Sequence, residues 1–480
     1  MSYTPYRRWQ LTKSMLHPDR LFPADNDTRV VARQLYNVVK DLPIISPHGH
    51  TDPAWFADNQ PFNDPASLFI TPDHYVFRML HSQGISLSDL GLATRDDETV
   101  SVTPEAVWQR FASNYHLFRG TPSRLWLDHV FSEVFGLEES LSEATAEKYY
   151  AAISDALAKP EFRPRVLFER FNIEVLATTE SPLDSLKHHA TIQESGWSGR
   201  VITTFRPDPV LDPEFEGFSE NLNRLGELTR IDVSSFGGYL AALRDRRAFF
   251  KAHGATATDH GHPTPATADL DPQACEALYQ RVRSADVTAE EAERFRAQML
   301  TEMAKMSLDD GMVMQIHPGS YRNHNRHLFA TYGRDMGADI PVQTGYVQNL
   351  KPLLDKFGNE SSLTIILFTL DETTYSRELA PLAGHYPALK LGPSWWFHDS
   401  PEGMRRFRQQ TIETAGFYNT VGFNDDTRAF LSIPARHDMA RRIDCGQLAS
   451  LVTQHQITET EAGDIAHALT YSLAKQAYNL

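Results

Sequence analysis

The sequence predicts an α/β protein of the (β/α)8 TIM-barrel class, a single domain (residues 1–480) with a large helical insertion between strand 1 and strand 2. Two observations support this fold. Short apolar, β-branched runs recur along the chain and alternate with amphipathic stretches, and near-continuous apolar runs are typical of strands buried on both faces of a parallel sheet. Polar residues with catalytic potential follow these runs, as they do at the C-terminal ends of barrel strands.

Eight such runs supply the predicted strands. They occupy residues 42–50, 173–180, 201–207, 255–260, 312–317, 363–368, 389–393 and 421–426. Eight strands that alternate with helices favour a closed barrel, and an open doubly wound sheet is the alternative.

Helix signals lie between the runs. Thr288 and Glu291 form a capping box ahead of an amphipathic segment that extends to about Leu308. Ser400 and Pro401 predict an N-cap and a first-turn proline for another helix. The long segment 51–165 is rich in aromatic residues at helical spacing, so we expect a mostly helical insertion over the barrel mouth, where the loops of this fold carry catalysis.

Composition limits the partners and the compartment. The formal net charge of −16 argues against nucleic acid and anionic membranes as partners. No apolar run is long enough to span a membrane, and residues 1–9 lack the apolar core of a signal peptide. Cys275 and Cys445 lie far apart, which favours two free thiols over one disulfide. We therefore expect a cytoplasmic protein, and a homo-oligomer is compatible with these features.

His48 and His50 form an HxH pair at the end of the first run. Because residues i and i+2 of a strand point to the same side, both imidazoles can face one point at the barrel mouth. Two neutral imidazoles suit zinc or a similar divalent ion. A third ligand is expected from the last run, which closure of the barrel would bring beside the first. Asp425 and Asp426 compete for that role, and capping of the next helix is the alternative for either.

Motifs along most of the chain together resemble the uronate isomerase family. They are His48-Gly49-His50, Asp73-His74-Tyr75 with Arg78, Phe171-Asn172 with Thr178-Thr179, 204–208, Gln315-Ile316-His317, 322–325, Trp395-Trp396-Phe397 and 426–432. The likeness extends from about residue 20 onward, in order, and the combination is far more specific than any single motif.

The resemblance implies an amidohydrolase-type barrel with one metal, held by the HxH pair and the last-strand aspartate. It also implies aldose–ketose isomerisation of D-glucuronate or D-galacturonate. The family's D-S-R-S-F motif corresponds here to residues 426–430, which favours Asp426 over Asp425. The expected cofactor is one divalent ion, zinc, and the expected partner is a small hexuronate.

A second HxH, His260-Gly261-His262, follows the weak fourth run. Asp259 and His260 resemble the family's D-H-G motif and are expected in the substrate-binding wall or in support of it, with a second metal site as the alternative. His262 is expected in a loop without a role. The fourth run has no lysine to bridge two metals, which favours a single ion. His188 and His189 are predicted to be a solvated pair on a helix.

Isomerisation assigns roles to further residues, because the C2 proton must be removed and the carbonyl polarised. Asp426 is the expected base, directly or through metal-bound water. His74 and Tyr75 are expected to move the other proton, and a place in the hydrogen-bonding wall of the pocket is the alternative for Tyr75. Arg428 is expected to neutralise the developing negative charge or to hold a substrate oxygen.

Three more residues are expected to bind the substrate. Arg206, at the end of the third run, is the expected partner of the C6 carboxylate, with Arg322 in reserve. His317 ends the fifth run and is expected to contact substrate or metal.

Two other function classes compete with the isomerase. They are a metal-dependent hydrolase and a non-catalytic sugar-acid-binding barrel. The missing lysine and the His74-Tyr75 motif oppose the hydrolase, and the full set of acid, base and ligand residues opposes a silent binder.

Overall fold

A computed structural model describes residues 15–96, 99 and 101–480. The prediction that residues 1–9 are not a signal peptide falls outside the described residues. Within the described ranges, no helix is both long and apolar enough to cross a membrane.

A curled parallel sheet forms the centre of this mixed α/β fold. The strands of the described residues are β1 (Ile44–Ser46), β2 (Ile173–Glu180), β3 (Arg200–Phe205), β4 (Ala257–His260), β5 (Val313–Ile316), β6 (Ser320–Tyr321), β7 (Ile340–Pro341), β8 (Ile365–Leu367) and β9 (Leu389–Leu391). The sheet order is β1-β2-β3-β4-β5-β8-β9, and β6 and β7 form a separate antiparallel pair. Each of the first seven predicted runs contains one strand of this sheet.

The eighth predicted run, residues 421–426, differs from the prediction because it forms no regular strand. Thr420 makes only an isolated parallel bridge to Leu391 of β9. Gly422 and Asp426 have φ values of 76° and 36°, and left-handed residues interrupt an extended backbone. A little further on, the backbone N–H of His50 donates to the carbonyl of Thr427 at 3.0 Å. The segment therefore contacts both β9 and the residues that follow β1.

Helices surround the sheet. The α-helices are α1 (Asn26–Val39), α2 (Pro53–Asp58), α3 (Pro65–Phe69), α4 (His74–His81), α5 (Pro104–Ser113), α6 (Pro122–His129), α7 (Ala146–Leu157), α8 (Pro164–Arg170), α9 (Lys187–Glu194), α10 (Asp208–Leu211), α11 (Phe218–Thr229), α12 (Phe236–Ala252), α13 (Pro272–Arg283), α14 (Ala289–Asp310), α15 (Arg326–Tyr332), α16 (Lys351–Phe357), α17 (Ala380–Ala383), α18 (Pro401–Ala415), α19 (Ile433–Thr453), α20 (Glu459–His467) and α21 (Leu473–Ala477). Short 3-10 or π segments are Ser88–Leu90, Tyr115–Phe118, Val130–Val134, Glu143–Thr145, Pro160–Phe162, Glu372–Thr374, Tyr375–Leu379, Trp396–His398, Phe430–Ser432 and Ala468–Ser472.

The predicted helix starts are confirmed. Thr288 caps α14 and forms the capping box with Glu291. Ser400 caps α18, and Pro401 is its first residue. Between β1 and β2 the chain forms the helices α2 to α8. Their buried aromatic residues, among them Trp108 and Phe111, share one hydrophobic cluster with Ile44 of β1 and Ile173 of β2.

Helix α21 packs against the inner face of the sheet. Ala474 contacts a cluster that includes Val175, and Tyr478 belongs to a neighbouring cluster with Val313 and Ile366. The small alanine side chain allows the helix to approach the strands closely. The segment that contains Tyr478 is thereby held inside the curl of the sheet.

Candidate metal centre and active site

Three predicted metal ligands meet at the C-terminal end of β1. His48 Nε2 and His50 Nε2 lie 3.5 Å and 3.2 Å from Asp426 Oδ1. One candidate ligand atom from each of the three residues lies within 4.8 Å of the others. Both histidines lie just beyond the end of β1, and the bend at His48 does not prevent the two imidazoles from facing the same carboxylate. Two imidazoles and a carboxylate are a donor set that binds zinc and similar ions.

The two adjacent aspartates point in different directions. Asp425 Oδ2 accepts a hydrogen bond from His437 Nε2 of α19 at 3.0 Å, so this carboxylate faces the helix. The left-handed backbone at Asp426 turns the second carboxylate toward the histidines. Its Oδ2 accepts a hydrogen bond from Trp395 Nε1 at 2.6 Å, which leaves Oδ1 for the histidine side.

A second group of ligand-type side chains shares His48. His317 stacks on His48 with ring centroids 4.9 Å apart, and its Nδ1 lies 2.7 Å from Asp259 Oδ1. His317 Nε2 and Asp259 Oδ2 are buried, and no hydrogen bond to either atom is present among the described residues. Asp259 Oδ2 lies 3.2 Å from Arg206 Nη1, which leaves His317 Nε2 without a partner in the described part of the chain. Because buried polar atoms are almost always satisfied, His317 Nε2 fits contact with an ion or a substrate oxygen.

The electrostatics of this centre favour cation binding. Burial lowers the pKa of His48 to about 4 despite the nearby carboxylates, so the imidazole is neutral, as a metal ligand must be. Burial acts to raise the pKa of Asp426, but His48 and His50 outweigh it and hold that pKa far below its usual range. Burial likewise opposes ionisation of Asp259, yet the Arg206 guanidinium and His317 keep its pKa low. The centre therefore combines a neutral His48 imidazole with the ionised carboxylates of Asp426 and Asp259.

The predicted arginines line the cavity, and each contacts a carboxylate. Arg206 Nε donates to Asp208 Oδ2 at 2.9 Å, and its Nη1 lies 3.2 Å from Asp259 Oδ2. Arg322 Nη1 donates to Asp339 Oδ2 at 2.9 Å.

Arg428 contacts a loop from another part of the chain. Its Nη2 lies 3.1 Å from Asp335 Oδ2, and both side chains line the cavity. A substrate carboxylate that binds any of these three arginines must share it with a protein carboxylate or displace that carboxylate.

His74 and Tyr75 enter the cavity from the first turn of α4. Asp73 caps the helix by accepting from the Tyr75 backbone N–H at 2.8 Å. The two rings stack with centroids 4.6 Å apart, and His74 also packs edge-on against Trp396. Burial lowers the pKa of His74 to about 3 and raises that of Tyr75. At neutral pH the imidazole is therefore uncharged and can accept a hydrogen bond, and the phenol keeps its proton and can donate one.

The structure does not place His260 in the predicted substrate-binding wall. It is fully buried and is not among the residues that line the cavity. Neighbouring residues of a strand point to opposite faces, and Asp259 already faces the centre, so His260 points to the outer face, where its Nε2 lies 3.1 Å from Thr258 Oγ1. With His262, also buried, and Asp208 it forms a third group of ligand-type atoms.

The prediction that His188 and His189 are both solvated on a helix is wrong for His189. This residue is buried, and its Nε2 lies 2.9 Å from Thr178 Oγ1 of β2. Helix α9 packs against the outer face of the strands, which places His189 in the interface between them.

Sequence reasoning missed three residues of this region. The sequence assigns Trp395 no role beyond a place in a family motif, yet this residue holds Asp426 by the hydrogen bond described above. Glu180 lines the cavity at the end of β2, and burial raises its pKa to about 7. Gln315 Nε2 lies 3.4 Å from His48 Nδ1. The strand-end position of Glu180 and the i, i+2 relation of Gln315 to His317 were signals available in the sequence.

One cavity of about 410 Å³ joins these elements. Its lining contains His48, His50, His74, Tyr75, Glu180, Arg206, Asp259, His317, Arg322, Trp395, Trp396, Asp426 and Arg428. The volume lies in the range of small-molecule sites. The cavity thus combines an ion site, titratable groups and guanidinium groups.

Comparisons with known proteins identify the family. A glucuronate isomerase family profile matches residues 20–478. The uronate isomerase of Rhizorhabdus wittichii is 68% identical over 465 residues, which cover 97% of this chain and 98% of that protein. The crystal structure of glucuronate isomerase from Caulobacter crescentus matches with a TM-score of 0.95 and 62% identity, covering 97% of each chain. That of uronate isomerase from Thermotoga maritima matches with a TM-score of 0.90 and 29% identity, covering 96% of this chain and 99% of that one.

Family membership decides between the function classes left open by the sequence. The match covers nearly all of the chain, so the expected isomerase is confirmed over the hydrolase and the silent binder. A hexuronate is accordingly the substrate class. This chain belongs to the glucuronate isomerase family, the uronate isomerases.

Proposed function

We propose that this chain interconverts an aldohexuronate and its 2-keto isomer by proton transfer between C2 and C1 in the cavity described above. One observation carries the proposal. His48, His50 and Asp426 converge at the cavity, and the titratable pair His74 and Tyr75 from α4 lines the same cavity. Such an arrangement can hold an ion and move protons beside it.

For the architecture we propose a closed (β/α)8 barrel in a single domain, residues 1–480, with 51–165 as an insertion over its mouth. Two contacts support closure, namely the bridge from Leu391 to Thr420 and the hydrogen bond from His50 to Thr427. The presence of His74 and Tyr75 in the cavity lining supports the position of the insertion.

His48, His50 and Asp426 would hold one divalent ion, and zinc suits these ligands. When bound, the ion would polarise an oxygen on C1 or C2 and so make the C2–H more acidic. The group of Asp208, His260 and His262 fits a second ion poorly. Arg206 already donates to Asp208, so a positive charge is present beside the only anion of that group.

Asp426 is the proposed base. Its carboxylate is ionised at neutral pH, and its hydrogen bond from Trp395 fixes its orientation. In this scheme the C2 proton is removed, the electron pair forms the C1–C2 double bond of an enediol, and a proton is returned to C1. In the reverse reaction the same carboxylate would remove the proton from C1, and a proton would be returned to C2.

The second proton moves between the two oxygens. His74 is neutral and Tyr75 protonated at pH 7, so together they can accept the O2 proton and deliver one to O1. Arg428, at the cavity wall, would stabilise the negative charge that develops on these oxygens.

Arg206 is the proposed partner of the C6 carboxylate, with Arg322 in reserve and His317 in contact with substrate or ion. Arg206 lies beside Asp259, so the substrate carboxylate would bind where a half-buried guanidinium is already oriented. Charge-assisted pairing of this kind gives geometric specificity.

The cellular setting is also a proposal. Cys275 and Cys445 are free and buried, which supports a reducing compartment such as the cytoplasm. A homo-oligomer stays a prediction.

The first prediction concerns the ion. The variant His48→Ala/His50→Ala should lose the one divalent ion per chain that the wild-type protein carries, because two of its three ligands are gone. Elemental analysis of the purified proteins measures this. The control His116→Ala/His467→Ala alters two exposed histidines and should keep the ion. Two ions per wild-type chain, or one retained in the first variant, would contradict the proposed site.

The second prediction concerns proton transfer at α4. Tyr75→Phe and His74→Asn should each lower kcat by roughly 10²–10⁴-fold with the metal content unchanged, because general acid–base catalysis contributes about that much. Steady-state kinetics and elemental analysis check it. Tyr418→Phe, at an exposed position, should behave as wild type. Near wild-type rates in both α4 variants would contradict a role of His74 and Tyr75 in proton transfer and would leave them only the role of covering the cavity.

The third prediction separates binding from chemistry at two arginines. Arg206→Met should mainly raise KM for hexuronates, by roughly 10- to 150-fold, since a charge-assisted pair contributes about 1.5–3 kcal/mol. Arg428→Met should mainly lower kcat, because its partner is charge that develops in the transition state. If Arg206→Met leaves KM unchanged while Arg428→Met raises it, the two roles are reversed.

A further inference from the structure

A chain of buried polar side chains leads from His48 into the interior of the sheet. Gln315 Nε2 lies 3.4 Å from His48 Nδ1, and Tyr478 OH donates to Gln315 Oε1 at 2.9 Å. Asn424 Nδ2 donates to Tyr478 OH at 3.2 Å. All four side chains are buried. Neither Gln315 nor Tyr478 lines the cavity, so this row of hydrogen-bonded side chains reaches the candidate metal centre from the side away from the cavity.

When an imidazole binds a metal through one ring nitrogen, the hydrogen bond at its other ring nitrogen affects how tightly the metal is held. A neutral histidine that binds through Nε2 carries its proton on Nδ1, and that N–H needs an acceptor that also orients the ring. Among the described residues, the Gln315 amide is the hydrogen-bond partner recorded for His48 Nδ1. The amide must present its oxygen to Nδ1 when Nε2 serves the metal.

The hydroxyl of Tyr478 makes that orientation accessible. The two ends of an amide are nearly equal in size, so Gln315 can turn its oxygen to His48 and its nitrogen to Tyr478 in the same space. The turn gives up the hydrogen bond that Gln315 Nε2 donates to the Thr258 carbonyl at 3.3 Å, and binding of the ion at His48 Nε2 must offset that loss. A hydroxyl can accept from that nitrogen and donate onward, whereas an apolar ring would leave a buried amide end without a partner. Burial raises the pKa of Tyr478, so the hydroxyl keeps its proton.

We propose that Tyr478 is a positioning residue for the metal centre, which acts through Gln315 to hold His48 in the tautomer with Nε2 free for the ion. The proposal rests on the proposed site of His48, His50 and Asp426 and adds two residues beneath it. The packing of α21 inside the sheet is what brings the phenol to this place.

The test is the affinity for zinc in Tyr478→Phe, measured by competition with a chelator. Loss of a partner of this kind typically weakens metal binding by about 10- to 100-fold, and we expect that loss here. The matched control is Tyr471→Phe, whose hydroxyl donates to Glu174 Oε2 at 2.6 Å, away from His48. This control should bind zinc like the wild type.

A second variant tests the route through Gln315. Gln315→Met should weaken zinc binding by a similar factor, and the double variant Gln315→Met/Tyr478→Phe should lose little more, because both act on one interaction. Visible absorption of the cobalt-substituted proteins should change in both single variants and stay constant in Tyr471→Phe.

Three outcomes would overturn the proposal. Equal zinc affinity in Tyr478→Phe and Tyr471→Phe, or fully additive losses in the double variant, would overturn it while leaving the proposed metal site intact. Wild-type protein that binds no zinc at His48 and His50 would overturn the proposed site and this inference together. The first two outcomes are thus distinguishable from failure of the proposed function.

Discussion

The hydrogen bond between the backbone N–H of His50 and the carbonyl of Thr427 is the interaction on which the candidate site depends. It joins the HxH pair to a segment from the other end of the sequence, next to the residue that completes the ligand set. Asp426 lies beside Thr427 in a left-handed conformation, which costs free energy for a residue with a side chain. Its neighbours maintain this conformation, since Asp425 bonds to His437 and Asp426 bonds to Trp395.

Charge compensation explains how an acidic protein can bind an anionic sugar. The chain carries a net charge of −16, yet the cavity concentrates guanidinium groups, and salt screens charges more than about 8 Å away. Arg206, Arg322 and Arg428 each contact a carboxylate of the protein. These contacts lower the cost of burying the cations and keep them oriented. A hexuronate can then bind by sharing or replacing an existing partner, without bringing an unpaired charge into the cavity.

Much of the site could be predicted from the sequence because it follows short-range rules. The two-residue period of a strand placed His48 and His50 on one side, and the family resemblance favoured Asp426 over its neighbour. The same period should have excluded His260, since Asp259 before it faces the centre and the next side chain must face outward.

Other features depend on contacts that spacing does not encode. The bond from Trp395 to Asp426 joins two loops, and the burial of His189 depends on how α9 packs against β2. The eighth predicted strand is irregular because two left-handed residues interrupt it, and only one of them is a glycine. The position of Tyr478 follows from the packing of α21 inside the sheet, which its short amphipathic sequence does not indicate.

The most direct test of the account is isomerisation in deuterium oxide. Purified protein with its metal is incubated with D-glucuronate, and the product is examined by NMR and mass spectrometry. The account predicts a 2-keto hexuronate that carries solvent deuterium at C1, because the proton passes through side chains in exchange with solvent. A ketose without solvent deuterium at C1, or no conversion of the sugar at all, would contradict it.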